Sequence, residues 1–434
     1  MESVSGKKLS VAGIVRKAAL GLVATAAVGA ACTPTATYQC SYTTSGSTAS
    51  IAFDGVRGYS ENLLVDDQWV ATVDGLNTYS ATVSQGSVVS VRLRGNGYDG
   101  PDGYATVVCD NAGATPSTLA PLEPADGKVL WGAWPASGAT GLTSGSNAVG
   151  AFEGATGTSL DIVQTFAPPH DAEWKLDYLN WIVSQDKIPL ITWKVGPSEW
   201  PDAGQNAGQR VVDGEFDAQI RARAQEAKQI NGPFFSRLFH EMDGGYGARY
   251  DMTPAIFEQY WRHIHGIFES EGVTNAVWVW TPAVFEANKG EAAWYPGDDV
   301  VDWIGQDPYL WVGVGIDNPR CATDPYRTLD QRAGNDFWNF AAQHPDKPIM
   351  FAEWGVGSRP GTDIRKDYFN SVDQTVANHP KLKALVYYNS NPGESCSWKV
   401  QDGYDFTGGL AAYGQMANNP ARQVDVVDLV NNYQ

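Results

Sequence analysis

Between residues 128 and 389 one pattern recurs eight times: a short, near-continuous apolar run, then a stretch with helical spacing. The runs are Lys128 to Trp134, Asp161 to Phe166, Ile188 to Lys194, Phe234 to His240, Ala276 to Thr281, Val300 to Asp307, Pro348 to Glu353 and Lys383 to Asn389. A strand that is apolar on both faces must be buried on both faces, which is the condition of parallel strands covered by helices. The intervening stretches supply those helices. Asp213 to Ile230 carries Phe216, Ile220, Ala224, Ala227 and Ile230 on one stripe, and Pro254 follows a Thr253 cap ahead of Ile256, Tyr260, Trp261 and Ile264. Thr328 to His344 and Thr362 to His379 repeat the theme. Eight such units predict an α/β fold, a (β/α)8 TIM barrel spanning residues 128–434; a doubly wound open sheet would not need eight.

Upstream the rhythm differs. Residues 1–31 carry Lys7, Lys8, Arg16 and Lys17, then a small-residue apolar run too short to span a bilayer, and read as a secretory signal peptide. Residues 32–110 hold short alternating runs such as Gln68-Trp-Val-Ala-Thr-Val73 and Val88-Val-Ser-Val-Arg-Leu93, spaced by turn residues as in a small all-β sandwich. The stretch Val65-Asp-Asp-Gln-Trp-Val-Ala-Thr-Val-Asp-Gly75 resembles fibronectin type III-like modules of secreted bacterial hydrolases. Residues 111–127, rich in Ala, Pro, Thr and Ser, read as a linker.

With 30 basic and 49 acidic residues the chain has a formal charge of -19, which excludes the basic face that nucleic acid requires. Its 16 Trp and 19 Tyr suit a cleft that stacks sugar rings. Five cysteines in an exported chain leave one over. The expected disulfides are Cys40 with Cys109 and Cys321 with Cys396. Cys32 follows Val28-Gly-Ala-Ala, which resembles a lipoprotein cleavage box with Gly29 where Leu is usual. It is therefore a lipidation candidate that would anchor the chain to a membrane, or else a free thiol. No metal site and no cofactor motif stands out, and a monomer is expected.

In a barrel of this kind the reacting groups sit at the carboxyl ends of the strands. The third run ends in Trp193 and Lys194, the fourth in His240 and Glu241, the fifth in Trp280. The sixth ends in Asp307 with Tyr309 following, the seventh in Glu353, the eighth in Tyr387, Tyr388 and Asn389. Position 244 is Gly where a zincin helix needs its second His, so His240-Glu241 is not a zinc motif. Two glutamates among aromatics fit glycoside hydrolysis, one acting as acid and the other attacking or activating water. Plainer readings stand beside these: Trp193 and Trp280 as barrel filling, Asp307 as a loop cap, Tyr309 as a surface aromatic.

Four ordered blocks carry a sharper resemblance: Arg237-Leu-Phe-His-Glu-Met-Asp-Gly244, Asn275-Ala-Val-Trp-Val-Trp-Thr-Pro282, Trp294 to Tyr309, and Lys347-Pro-Ile-Met-Phe-Ala-Glu-Trp-Gly355. Together they resemble glycoside hydrolase family 26 over about residues 128–415. The resemblance implies a retaining β-glycanase with Glu241 as acid/base and Glu353 as nucleophile. By the same resemblance His240 positions the sugar and the carboxylates, Tyr309 hydrogen-bonds the nucleophile, and Trp193 and Trp398 lie near the cleaved sugar. Arg237, Trp280 and Asp307 are read as substrate-binding with them. The chain departs from the family after Met242, where Asp243, Gly244, Gly245 and Tyr246 replace the usual Asn-Gly and Trp-rich loop.

The leading expectation is a secreted endo-acting enzyme on β-1,4-mannan. Mixed-linkage β-glucan and β-1,3-xylan are the alternatives within the family. An exo-acting or cell-wall enzyme and an inactive carbohydrate-binding surface protein are the readings outside it.

Overall fold

The computed structural model describes residues 119–433 apart from the internal segments 137–140, 168–172, 198–205, 286–289, 312–325, 358–361, 391–396 and 402–407. Ahead of residue 119 it describes the backbones of eight strands between positions 24 and 108. The chain divides into two units, residues 1–118 and 119–434. In the first, the strands pair antiparallel into two four-stranded sheets. All five cysteine side chains, and with them both expected disulfides and the Cys32 anchor, lie outside the described residues.

The second unit holds eight parallel strands: β1 (Leu130–Trp134), β2 (Ile162–Phe166), β3 (Ile188–Trp193), β4 (Phe234–Leu238), β5 (Ala276–Trp280), β6 (Trp303–Gln306), β7 (Ile349–Val356) and β8 (Leu382–Tyr388). They neighbour one another in chain order. β8 pairs with β1, and β6 pairs with β7, so the sheet closes on itself. Each strand falls on one of the eight apolar runs. The closed barrel follows from that apolarity, since only a sheet covered inside and out hides every face.

Alternate residues divide the core in two. Leu130, Ile162, Leu190, Phe235, Val277, Val279, Trp303 and Met350 fill the barrel, while Trp131, Val163, Ile191, Phe234, Trp278 and Phe351 pack outward against helices. The long helix Pro254–Ser270 begins as expected: the Thr253 hydroxyl accepts from Ile256 N, and Phe257, Tyr260, Trp261, Ile264 and Phe268 are buried.

Two expected helices differ from the reading. Asp213 to Ile230 is helical over Asp217–Ala227 alone, with Gly214 at φ 86 ahead of it and a separate, unexpected helix, Ala207–Val212, before that. Thr328 to His344 becomes Leu329–Ala333 and Asn335–Ala341, parted at Gly334 with φ 83. The stripe persists across such a break, but a left-handed glycine stops the helical hydrogen bonds.

The amino-terminal end of the barrel is plugged. Leu122 and Val426, the latter from the helix Val426–Asn431, join the interior cluster. Trp303 Nε1 donates to Pro121 O at 2.7 Å, and the buried Lys383 ammonium reaches Asp126 at 2.9 Å. Access to the barrel is therefore from the carboxyl ends of the strands.

At Gly305 on β6 a Cβ would stand 2.5 Å from the Met350 carbonyl oxygen of β7, a backbone atom that the sheet holds in place. Gly305→Ala is expected to lose about 1–3 kcal/mol of stability through overpacking. Denaturant unfolding checks this, and an unchanged midpoint would show that β6 and β7 have slack there.

Candidate active site

The inward alternation that fills the barrel continues to its open end. One step beyond the apolar interior residues stand Trp134 on β1, Gln164 and Phe166 on β2, Thr192 on β3, Arg237 on β4, Tyr388 on β8, and Thr281 and Asp307 just past β5 and β6. The seventh strand needs a device. Met350 and Ala352 face inward, so strict alternation would turn Glu353 outward. Between Phe351 and Trp354 the register shifts, three residues of β7 running against two of β8, from Leu385 to Tyr387. This bulge brings Glu353 into the mouth and leaves Trp354 packed outward against Tyr368, Phe369 and Tyr387.

Glu353 is held from several sides. Tyr309 donates its hydroxyl to Oε2 at 2.6 Å, Gln164 Nε2 donates to Oε1 at 3.3 Å, and Arg237 Nη1 also donates to Oε1. Burial pushes the Tyr309 hydroxyl well above its ordinary pKa and the Glu353 charge adds to that, so it stays a donor. Arg237 is wholly buried and spans two acids, its Nη2 donating to Asp307 Oδ2. Its Nε reaches Thr281 Oγ1 at 3.2 Å, and Asp307 Oδ1 accepts from the Glu353 backbone N–H at 3.1 Å. Guanidinium and two carboxylates thus tie β4, β6 and β7 together across the mouth.

Glu241 sits just beyond β4 on a contorted backbone. Phe239 has φ 44 and Glu241 φ 51, both in the left-handed region. Phe239 N bonds Trp193 O at 2.7 Å, and Glu241 N bonds Thr281 O at 2.9 Å, which hold the turn. Such backbone costs about 1–2 kcal/mol per residue and persists where the surroundings enforce it. Burial, then the charge of Glu353, raises the Glu241 carboxyl to about 7. Burial, Arg237 and Lys194 hold His240 well below its usual value, so its ring is neutral. Two carboxyl groups, one oriented by donors and the other proton-retentive, have the chemistry that a nucleophile and acid pair needs.

Residues 201–329 match the sequence profile of glycosyl hydrolase family 26, a segment that includes Arg237, Glu241, Asp307 and Tyr309 and ends before β7. The chain carries a glycosyl hydrolase family 26 domain. It is 26% identical to Endoglucanase H of Acetivibrio thermocellus over 305 residues, 67% of this chain and 31% of that protein. It is also 26% identical to a mannan endo-1,4-beta-mannosidase of Thermothelomyces thermophilus over 190 residues, 39% of this chain and 37% of that one. The chain thus spans about a third of the length of either curated relative. The catalytic domain of an endo-beta-1,4-mannanase from Bacillus sp. JAMB-750 superposes with a TM-score of 0.53 at 16% identity, covering 71% of this chain and 90% of that domain. That likeness is one of fold.

Within the family 26 domain some expected site residues lie elsewhere. Trp193 is on the outward face of β3, its ring 5.4 Å from Trp174 and 5.3 Å from Phe268, and its Nε1 donates to Ser236 Oγ. Trp280 likewise points outward, among Phe285, Tyr295 and Phe340. Both belong to the layer between barrel and helices, so neither meets a sugar. Arg237 and Asp307 are sealed beneath the mouth, with side-chain exposure of 0% each. They position the carboxylates and do not touch substrate. Trp398 does reach the site, stacked on Tyr309 at 4.2 Å and 25°.

Reading strand ends overlooked Gln164, Thr192 and Thr281, the polar residues around Arg237 and Glu353. It also overlooked Phe166 and Trp311. The signal was present for Gln164, Thr192 and Thr281: each stands two residues beyond an inward apolar residue. Trp311 gave none, because it lies past its strand.

Arg237→Met removes the cation between two buried carboxylates and is expected to cost about 3–5 kcal/mol. Denaturant unfolding measures this directly. A loss below about 1 kcal/mol, the worth of an exposed pair, would mean that the acids find another partner.

Proposed function

We propose that this protein is a retaining endo-β-glycanase whose first substrate is β-1,4-mannan. The observation that carries the reading is the placement of Glu241 and Glu353 at the ends of β4 and β7 across the barrel mouth, where the charge of Glu353 adds to burial in raising the Glu241 carboxyl. The family 26 match and the 190-residue similarity to a mannan endo-1,4-beta-mannosidase support it.

In this mechanism a Glu353 carboxylate oxygen attacks the anomeric carbon while the glycosidic C–O bond breaks. Glu241 gives its proton to the departing oxygen. The raised affinity of Glu241 for that proton keeps it available near neutral pH. In the second step water attacks the same carbon, gives a proton to the Glu241 carboxylate and releases Glu353. Double displacement retains the anomeric configuration. Tyr309, Gln164 and Arg237 fix Glu353 for attack. Orientation of this kind lowers the barrier before any bond changes.

A second substrate reading is β-glucan. The alignment with Endoglucanase H is the longer of the two, 305 residues against 190. Walls of the subsites decide between such sugars, and the carboxylates do not. The same reading places the protein outside the cell, exported by residues 1–31 and held there by lipid on Cys32. It gives residues 32–110 the role of a fibronectin type III-like spacer, with Cys40–Cys109 and Cys321–Cys396 as disulfides and the protein as a monomer.

On mannan, Glu353→Ala is expected to abolish turnover. Glu241→Ala keeps it only on aryl glycosides with very good leaving groups, which need no proton. For the wild type, kcat/KM on mannan falls above pH about 7, as Glu241 loses the proton that it must donate. Full polysaccharide activity in either variant, or a profile flat from pH 5 to 9, would end this mechanism. Mannose oligomers released from a panel of β-glycans select mannan, and glucose oligomers select the second reading.

A further inference from the structure

Tyr309 reaches Glu353 with its side chain, but its backbone lies outside the eight barrel strands. Tyr309 and Leu310 form a two-residue strand that pairs parallel with Gly355 and Val356 at the far end of β7. Two residues are fewer than an ordinary strand has, yet Tyr309 must keep a 2.6 Å hydrogen bond to Glu353. A further hold comes from the helix layer. Arg332, in the last turn of the helix Leu329–Ala333, donates its Nε to the Tyr309 carbonyl oxygen. A hydrogen bond from a guanidinium is stronger than a neutral one. The helix that carries Arg332 is itself pinned. Thr328 and Gln331 close a capping box at its start, Asp330 Oδ1 lies 2.8 Å from His379 Nε2, and Leu329 and Ala333 are buried. Arg332 therefore works from a fixed base.

At the other end of the residue the ring has little play. A Cβ on Gly355 would stand 3.3 Å from Tyr309 Cδ1, so the ring lies directly on the β7 backbone. With the ring laid down in this way, the place of the hydroxyl follows the place of the backbone that carries it. We propose that Arg332 is a positioning residue: by holding the Tyr309 backbone it keeps the hydroxyl on Glu353 and so aligns the nucleophile for attack. This rests on the glycanase reading above. The carbonyl and the hydroxyl are at opposite ends of the residue, so a small tilt at the first is enlarged at the second. Hydrogen bonds weaken steeply with angle, and a displacement of about 1 Å at the reacting centre can cost as much as about a hundredfold in rate. Arg332 acts through Tyr309, with no contact of its own with the reacting atoms.

The test is a double-mutant cycle of wild type, Arg332→Gln, Tyr309→Phe and the two combined, with kcat and KM measured on mannan or β-glucan. Arg332→Gln is expected to lower kcat about tenfold and to leave KM within about twofold of wild type. Arg332→Lys, which can still donate to the carbonyl, stays within about threefold of wild type in kcat. In the Tyr309→Phe background there is no hydroxyl left to aim. Adding Arg332→Gln there costs less than about twofold, because residues that act as a unit are not additive. A merely structural arginine would give the same loss in both backgrounds, and that outcome overturns the proposal. So does a fully active Arg332→Gln, a fully active Tyr309→Phe, or a loss confined to KM. Where Arg332→Gln does not fold, Arg332→Met, which keeps the packing of the stem, takes its place in the cycle. A wild type silent on every substrate instead removes the glycanase reading, and this inference with it.

Discussion

A guanidinium with no access to water cannot remain charged without close anions, and Arg237 has two. Much of the site follows from that requirement. Asp307 and Glu353 must both come within reach of one planar group, which fixes where β4, β6 and β7 end relative to each other. Thr281 accepts a further N–H, and the Glu353 backbone N–H occupies the second oxygen of Asp307. The network is closed on itself, so its members have few alternative rotamers. Glu353 is thereby presented in one orientation before any substrate arrives.

The surrounding structure accepts local costs to achieve this. The β7 bulge interrupts a parallel ladder, and Phe239 and Glu241 take up left-handed backbone. Both irregularities lie at the open end. The opposite end is closed by Leu122, Val426 and the Lys383–Asp126 pair, and the interior between is apolar. A rigid lower barrel thus supports a strained upper rim. Two aromatic layers serve different ends: Trp193, Trp278 and Trp280 join the sheet to its helices, whereas Tyr309, Tyr388 and Trp398 face the mouth.

The strands were legible because burial on both faces leaves an apolar run that few other structures need. Glu241 and Glu353 were legible because a carboxylate at the end of such a run has no packing reason to be there. Trp193 and Trp280 misled for the converse reason. A tryptophan at a strand end suits the cleft or the helix layer equally, and the choice depends on which side of the strand it takes. Parity against the inward residues of the same strand decides it: Thr192 and Val279 face in, so Trp193 and Trp280 face out. The helix break at Gly334 was hidden, because an apolar stripe survives a change of axis.

The sequence by itself determined the closed parallel barrel, the strand ends that carry ionisable groups, and the acidic character of the chain. Those properties are local, written in composition and period. Tertiary structure alone decided the inward turn of Glu353, because it depends on one extra residue in β7 measured against β8. It also decided the role of Arg237, whose charge is meaningful only beside acids 70 and 116 positions further along the chain. Register between strands and contacts between distant residues are set by how the barrel closes, and no single run of sequence contains them.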